Sequence, residues 1–270
     1  RPNYINKLLK LNTKLVLYFH NDPISMVGSK SVNERIDLLN ICSKIIFNSE
    51  WSKKQYLKGL KSFYHKSKKL EVIHQSTIKT RVNLKKKEKL ITFVGKLNSA
   101  KGYDIFGNAV VSILNKYPDW KSVVIGDEPR EKISFSHKNL KVLGFQNHQH
   151  VLKNFDKTSI AVACSRWEEP FGRTSLEAAS RGCAVIISNK GGLPETITNG
   201  IILRNLEVNT LFLSIENLIK NKKKLSYLQK QSIKNFYLTD SFISKKIDSY
   251  RNKLNNLLII NLQNNKIKKI

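Results

Sequence analysis

Short apolar runs recur along the chain, separated by longer stretches in which apolar residues return every three or four positions. A short apolar run suits a strand buried on both faces of a parallel sheet; the wider spacing suits a helix that covers the sheet. Strands are therefore predicted over residues 15–19, 45–47, 70–73, 90–94, 122–125, 140–143, 159–163 and 184–188. The helix ends between them are legible too. Ser31-Val32-Asn33-Glu34 reads as a capping box, Ser49 as the cap of a helix that stops at Gly59, and residues 102–116 as an amphipathic helix ending ahead of Pro118. Helices are also predicted over 207–220, 222–236 and 240–257.

Alternating strand and helix specify an α/β fold. The stretch 79–88 is charged and poor in apolar residues, and it separates three predicted strands from five, so a linker is placed there. The resulting division is a short first lobe (1–82), a second domain (83–221) and C-terminal helices (222–270) that pack back toward the first lobe.

Three loops at predicted strand ends carry candidate chemistry. Gly95-Lys96-Leu97-Asn98-Ser99-Ala100-Lys101-Gly102 runs from a strand into a helix. Free N–H groups and the helix dipole favour an anion at such a turn, and Lys96 and Lys101 add point charges. Neither G-x-x-x-x-G-K-[ST] nor G-x-G-x-x-G is present. The second loop holds Trp167-Glu168-Glu169-Pro170-Phe171-Gly172 and continues to Glu177. Pro170 suits the first turn of a helix, which would put Glu169 at the sheet mouth and Glu177 about two turns along, nearly on one face. Stabilising the helix dipole is a sufficient role for Glu168 and Glu169. Glu177 lies inside an apolar run and needs hydrogen-bond partners, which ligand hydroxyls would supply. The third loop, Gly191-Gly192-Leu193-Pro194-Glu195, lets backbone approach a ligand closely. Each loop alone is an ordinary turn. Together, at the C-terminal ends of parallel strands, they mark the edge where such sheets bind ligands.

In this order and spacing the loops resemble the donor-binding domain of the retaining, GT-B-type glycosyltransferases of family 4. The resemblance rests on G-K-x(4)-K-G at 95–102, E-x(7)-E from Glu169 to Glu177, G-G-x-x-E at 191–195, Gly126-Asp127 and Leu143-Gly144-Phe145. It covers residues 90–200 and extends more weakly through 14–82. It implies an α/β, GT-B-type fold of two Rossmann-like lobes with parallel sheets, the first lobe incomplete. Residues 1–82 would be the partial acceptor-side lobe and 83–221 the nucleotide-sugar donor domain.

The resemblance also implies roles. Gly95, Lys96 and Lys101 would meet the donor diphosphate, Phe145 would lie near the base, and Glu177 would accept from the ribose hydroxyls. Glu169 would contact the transferred sugar, with the N–H groups of Phe171 and Gly172 nearby. His20 would face that sugar, completing a catalytic set with Glu169 and Lys101. The family often has Arg where Lys96 stands, and an Asn-Gly pair where His74-Gln75-Ser76 stands. His148 and His150 receive no role. The implied reaction is transfer to a glycan or lipid-linked acceptor with retention at the anomeric carbon. No cofactor is expected, and no metal held by a D-x-D pair. The chain opens on Arg1 rather than Met and lacks the family's early Gly-rich loop, so residues upstream are expected.

Charge adds a partner. The chain carries a net +28. Residues 1–82 hold 16 basic and 5 acidic side chains (+11), residues 83–220 hold 20 and 13 (+7), and residues 221–270 hold 12 and 2 (+10). The basic flanks suit an anionic membrane surface or an acidic acceptor; a plain Lys- and Asn-rich bias explains them equally well. No nucleic acid is expected, because stacking patches are not evident. Cys42, Cys164 and Cys183 are scattered and odd in number, which suits a reducing compartment, and no apolar run approaches the ~18 residues of a membrane span. The expected location is the cytoplasm, peripheral at the inner face of the membrane. Two alternatives remain: a nucleotide-sugar epimerase or hydrolase on the same fold, and a basic module that binds polyanions or membrane surfaces.

Overall fold

The computed structural model describes residues 2–8 and 13–267, and of Asn6 and 254–267 the backbone alone. Two compact units emerge: Arg1–Ser76 with Leu238–Ile270, and Thr77–Tyr237.

The first unit begins α1 (Ile5–Leu8), β1 (Val16–Phe19), α2 (Val32–Ile41), β2 (Lys44–Phe47), α3 (Glu50–Leu57), α4 (Ser62–His65) and β3 (Leu70–Val72). Its strands pair in parallel in the order β1-β2-β3. The capping box forms as its residues require: Glu34 N–H donates to Ser31 Oγ at 3.2 Å, and Ser31 N–H to Glu34 Oε2 at 2.8 Å. Ser49 Oγ accepts from Ser52 N–H at 2.9 Å and caps α3. The core closes on Phe19, Phe47 and Tyr56, whose ring centroids lie 5.2 to 5.6 Å apart.

The second unit runs β4 (Glu88–Val94), α5 (Tyr103–Lys116), β5 (Lys121–Ile125), β6 (Leu140–Val142), α6 (His148–Lys157), β7 (Thr158–Ala163), α7 (Arg173–Ser180), β8 (Ala184–Ser188), β9 (Ile201–Leu203), α8 (Val208–Lys220) and α9 (Lys222–Lys234). Six parallel strands lie in the order β6-β5-β4-β7-β8-β9. Alternate strand residues face opposite layers. Phe93, Ile160 and Ile186 join the cluster built on α5 and α8, while Ala161, Val185 and Ile187 join the one built on α6 and α7. Helices therefore cover both faces, which is why β7 and β8 are buried along almost their whole length. The last helix, α10 (Asp240–Ile267), returns to the first unit, where Lys246 Nζ donates to Val72 O at 3.2 Å.

Three details differ from the sequence reading. β9, the three-residue strand Ile201–Leu203 at the sheet edge, is not among the predicted strands. Residues 79–88 are more than a linker, holding a 3-10 turn, Leu84–Lys86, and the start of β4. The domain limits also shift: the second unit runs from Thr77 to Tyr237 and includes α9. Its Gln229 Nε2 donates to Ser159 O at 3.2 Å, and Ile233 fills the space that a Cβ on Gly182 would occupy.

Candidate functional site

β4 and β7 are neighbours, yet the chain leaves β4 toward β6 and leaves β7 toward β9. The crevice at such a reversal, at the C-terminal strand ends, is where doubly wound sheets receive ligands. The loop after β4 is stapled in place. Gly95 N–H donates to Ile125 O at 3.0 Å and Leu97 N–H to Asp127 O at 3.3 Å. Asn98 Oδ1 accepts from Lys101 N–H at 2.9 Å, closing the 3-10 turn Ser99–Lys101. Asn98 Nδ2 donates onward to Glu128 Oε2 at 3.2 Å, and Arg130 forks onto both Glu128 oxygens at 2.7 and 2.9 Å. The Arg130 hydrogen bond, with backbone and Asn98 donors behind it, brings the Glu128 carboxyl from 4.5 down to about 2.

The two loops are locked together. Arg166 and Trp167 N–H both donate to Ala100 O, at 2.9 and 3.0 Å, and Arg166 grips Asp104 through two bonds of 2.6 Å. Gly102 has φ +72°, and a Cβ there would sit 1.9 Å from Cys164 O. Only glycine allows both the turn and that approach.

Glu169 is held at its backbone and its side chain. Gly192 N–H donates to Glu169 O at 2.6 Å, Gly191 N–H to Glu168 Oε2 at 2.5 Å, and Lys101 Nζ donates to Glu169 Oε1. Its side chain is mostly buried. The helix does not start at Pro170. It starts at Arg173, after Gly172 at φ +108° and with no capping side chain, so α7 opens bare toward the crevice. Glu169 and Glu177 therefore do not share a helix face. Glu169 lies in the loop that the Gly191-Gly192 clamp fixes, and Glu177 lies in mid-helix.

Glu177 is 6% exposed. Its Oε1 lies 3.1 Å from His148 Nε2 and 3.2 Å from Arg173 Nη2. Among the described residues no donor reaches Oε2. One oxygen is thus oriented and the other is left to accept. His148 and Arg173 are the residues that sequence reasoning missed. Asn147, which caps α6 by accepting from His150 N–H, announces where His148 stands; nothing local announces its partner.

Of the other expected residues, Lys96 is exposed and has no ion-pair partner among the described residues. Phe145 is 77% exposed after β6, Phe171 is buried, and Gly172 packs so closely on Leu193 that a Cβ would lie 2.4 Å from it. His20 belongs to the first unit. Gln75 Nε2 donates to its Nδ1 at 2.8 Å, and its ring centroid lies 4.2 Å from that of Tyr18.

Residues 74–235 match the family model described as glycosyl transferases group 1, and the chain belongs to that family. It is 30% identical over 162 residues to spore coat protein SA of Bacillus subtilis (strain 168), covering 54% of this chain and 43% of that one. It is 27% identical over 123 residues to the lipopolysaccharide core biosynthesis mannosyltransferase LpsB of Rhizobium meliloti (strain 1021), covering 42% and 35%. The chain thus spans less than half the length of these relatives. HepE of Anabaena, solved in complex with UDP and glucose, superposes with a TM-score of 0.74 at 16% identity, over 93% of this chain and 76% of that one. That likeness gives the fold, which is GT-B.

Proposed function

We propose that the chain is the donor-binding part of a glycosyltransferase that moves a sugar from a nucleotide-sugar to a glycan or lipid-linked acceptor, with retention at the anomeric carbon. The observation that carries this reading is Glu177, a nearly buried carboxylate with one oxygen tied to His148 and Arg173 and the other open. A buried carboxylate is costly unless its remaining acceptor capacity is used, and vicinal ribose hydroxyls use it.

The neighbouring groups fit the rest of such a donor. Lys96, Lys101 and the uncapped start of α7 offer positive charge for a diphosphate, and Phe145 an exposed face for the base. Gly95 keeps the first loop close. Glu169 is proposed at the transferred sugar, where it releases Lys101 to the diphosphate as the donor arrives. Phe171 and Gly172 present backbone beside it. For His20 the reading keeps the role in transfer that the resemblance implies. The departing diphosphate is stabilised by lysines and helix dipole, so the reading calls for no metal and no other cofactor.

Retention rests on the family resemblance. The acceptor rests on the charge: the excess in residues 1–82 and 221–270 suits an acidic glycan, or a lipid-linked one at an anionic membrane. Among the described residues no helix is long and apolar enough to cross a membrane, and the proposed site of action is the cytoplasmic membrane face. Thermal shift with UDP-, GDP- and ADP-sugars is the experiment: one nucleotide should raise the melting temperature in a dose-dependent way. No shift with any of them would defeat the donor reading.

A further inference from the structure

The other end of the second unit's sheet holds an open cavity of about 680 Å³. It lies where strands begin. Glu88 opens β4, Asp156 and Lys157 close α6 just before β7, and Arg181 follows α7 just before β8. Residues 80–83, Lys86 and Lys153 form the remaining wall. Since β4 has seven residues, the cavity sits roughly 20 Å from the loop that carries Lys101. A ligand there is not the donor.

Its size is that of a small-molecule site, typically about 300–1,000 Å³. Its charge is lopsided. Both carboxylates in the lining are engaged, Glu88 by Lys157 at 3.5 Å and Asp156 by Arg181 at 3.1 Å. Arg81, Lys86 and Lys153 also line it and have no ion-pair partner among the described residues. Lysines on a flat surface would carry no inference. Here the wall also contains Arg181, 8% exposed, whose Nε has no hydrogen-bond partner, and Thr80, whose buried Oγ1 has none either. Folded proteins leave few such groups unmet, because a buried polar atom without a partner forfeits its hydration for nothing in return. A ligand with several acceptor oxygens, admitted by a small rotation of either side chain, would satisfy them while neutralising the three free cations.

We infer that this basal cavity binds a small phosphorylated metabolite, at a site separate from the nucleotide. Phosphate is favoured over a single carboxylate because three unpaired cations and a guanidinium edge call for several oxygens and more than one negative charge.

The test uses isothermal titration of the full chain with metal-free inorganic tripolyphosphate. The donor loop also attracts this probe, so Lys101→Ala serves as the background. In that background the probe should still bind, at about one per chain. Adding Arg81→Ala and Lys153→Ala, both exposed and remote from the donor loop, should weaken binding about tenfold or more. Adding Lys66→Ala and Lys223→Ala instead removes the same charge elsewhere and should leave affinity within about twofold. Loss of all binding in Lys101→Ala would overturn the inference, as would equal weakening by the two pairs, which would mean diffuse attraction.

Discussion

The ring Nε2 of His148 stands 3.1 Å from Glu177 Oε1, the same oxygen that Arg173 reaches at 3.2 Å. Two donors on one oxygen fix the rotation of a carboxylate and leave its other lone pairs facing a single direction. Removing one donor should loosen that orientation without emptying the site. His148→Ala is expected to weaken nucleotide binding about two- to tenfold, the worth of one hydrogen bond, with the melting temperature little changed because His148 is half exposed. Calorimetric titration of nucleotide into both proteins measures it.

Gly191 determines where Glu169 sits. At φ +57°, a Cβ on residue 191 would lie 2.1 Å from Glu169 O, so alanine must push the two loops apart. Gly191→Ala is expected to cost about 1–3 kcal/mol of stability and to cut turnover strongly, while nucleotide affinity stays within about threefold. Parallel melting curves and kcat measurements separate these effects.

Much of this was legible in the chain. The apolar runs gave eight of the nine described strands because buried parallel strands have little other composition open to them. Ser31, Ser49 and Gly59 marked helix ends because caps are local chemistry. The strand order was not legible, since it depends on which helix packs on which face. Pro170 misled for a related reason: the clamp from Gly191 and Gly192 holds residues 168–169 as loop, and the helix waits until Gly172 has turned the chain. His148 stayed invisible because only the packing of α6 beside α7 brings it to Glu177.

Lys101 pairs with Glu169, and the proposed reading moves it to the diphosphate. Lys101→Ala should therefore weaken a nucleoside diphosphate by roughly 10- to 100-fold and leave the bare nucleoside unchanged. Competition binding with the matched pair of ligands gives the ratio. Equal loss for both would place Lys101 away from the phosphates.

Acid should act on the first loop through Glu128. Its carboxyl is held at about 2, against 4.5 ordinarily, so the stability it contributes is full above about pH 4.5 and is lost as pH falls toward 2. Glu128→Gln should melt below wild type at neutral pH, and the gap should close across that window. Because Glu128 supports Asn98, which caps the turn at Lys101, the same substitution should weaken diphosphate binding at neutral pH. Melting curves from pH 7 to pH 2 show whether the gap closes.

The division of labour between Glu177 and Glu169 is best tested by one titration series. The nucleoside diphosphate whose sugar stabilises the chain most is titrated into wild type, Glu177→Gln and Glu169→Gln, with melting temperatures recorded alongside. Glu177→Gln should lose about tenfold or more in affinity, and Glu169→Gln should stay within about threefold of wild type. Affinity unchanged in both variants, or lost equally in step with their melting temperatures, would contradict a donor site built on this pair.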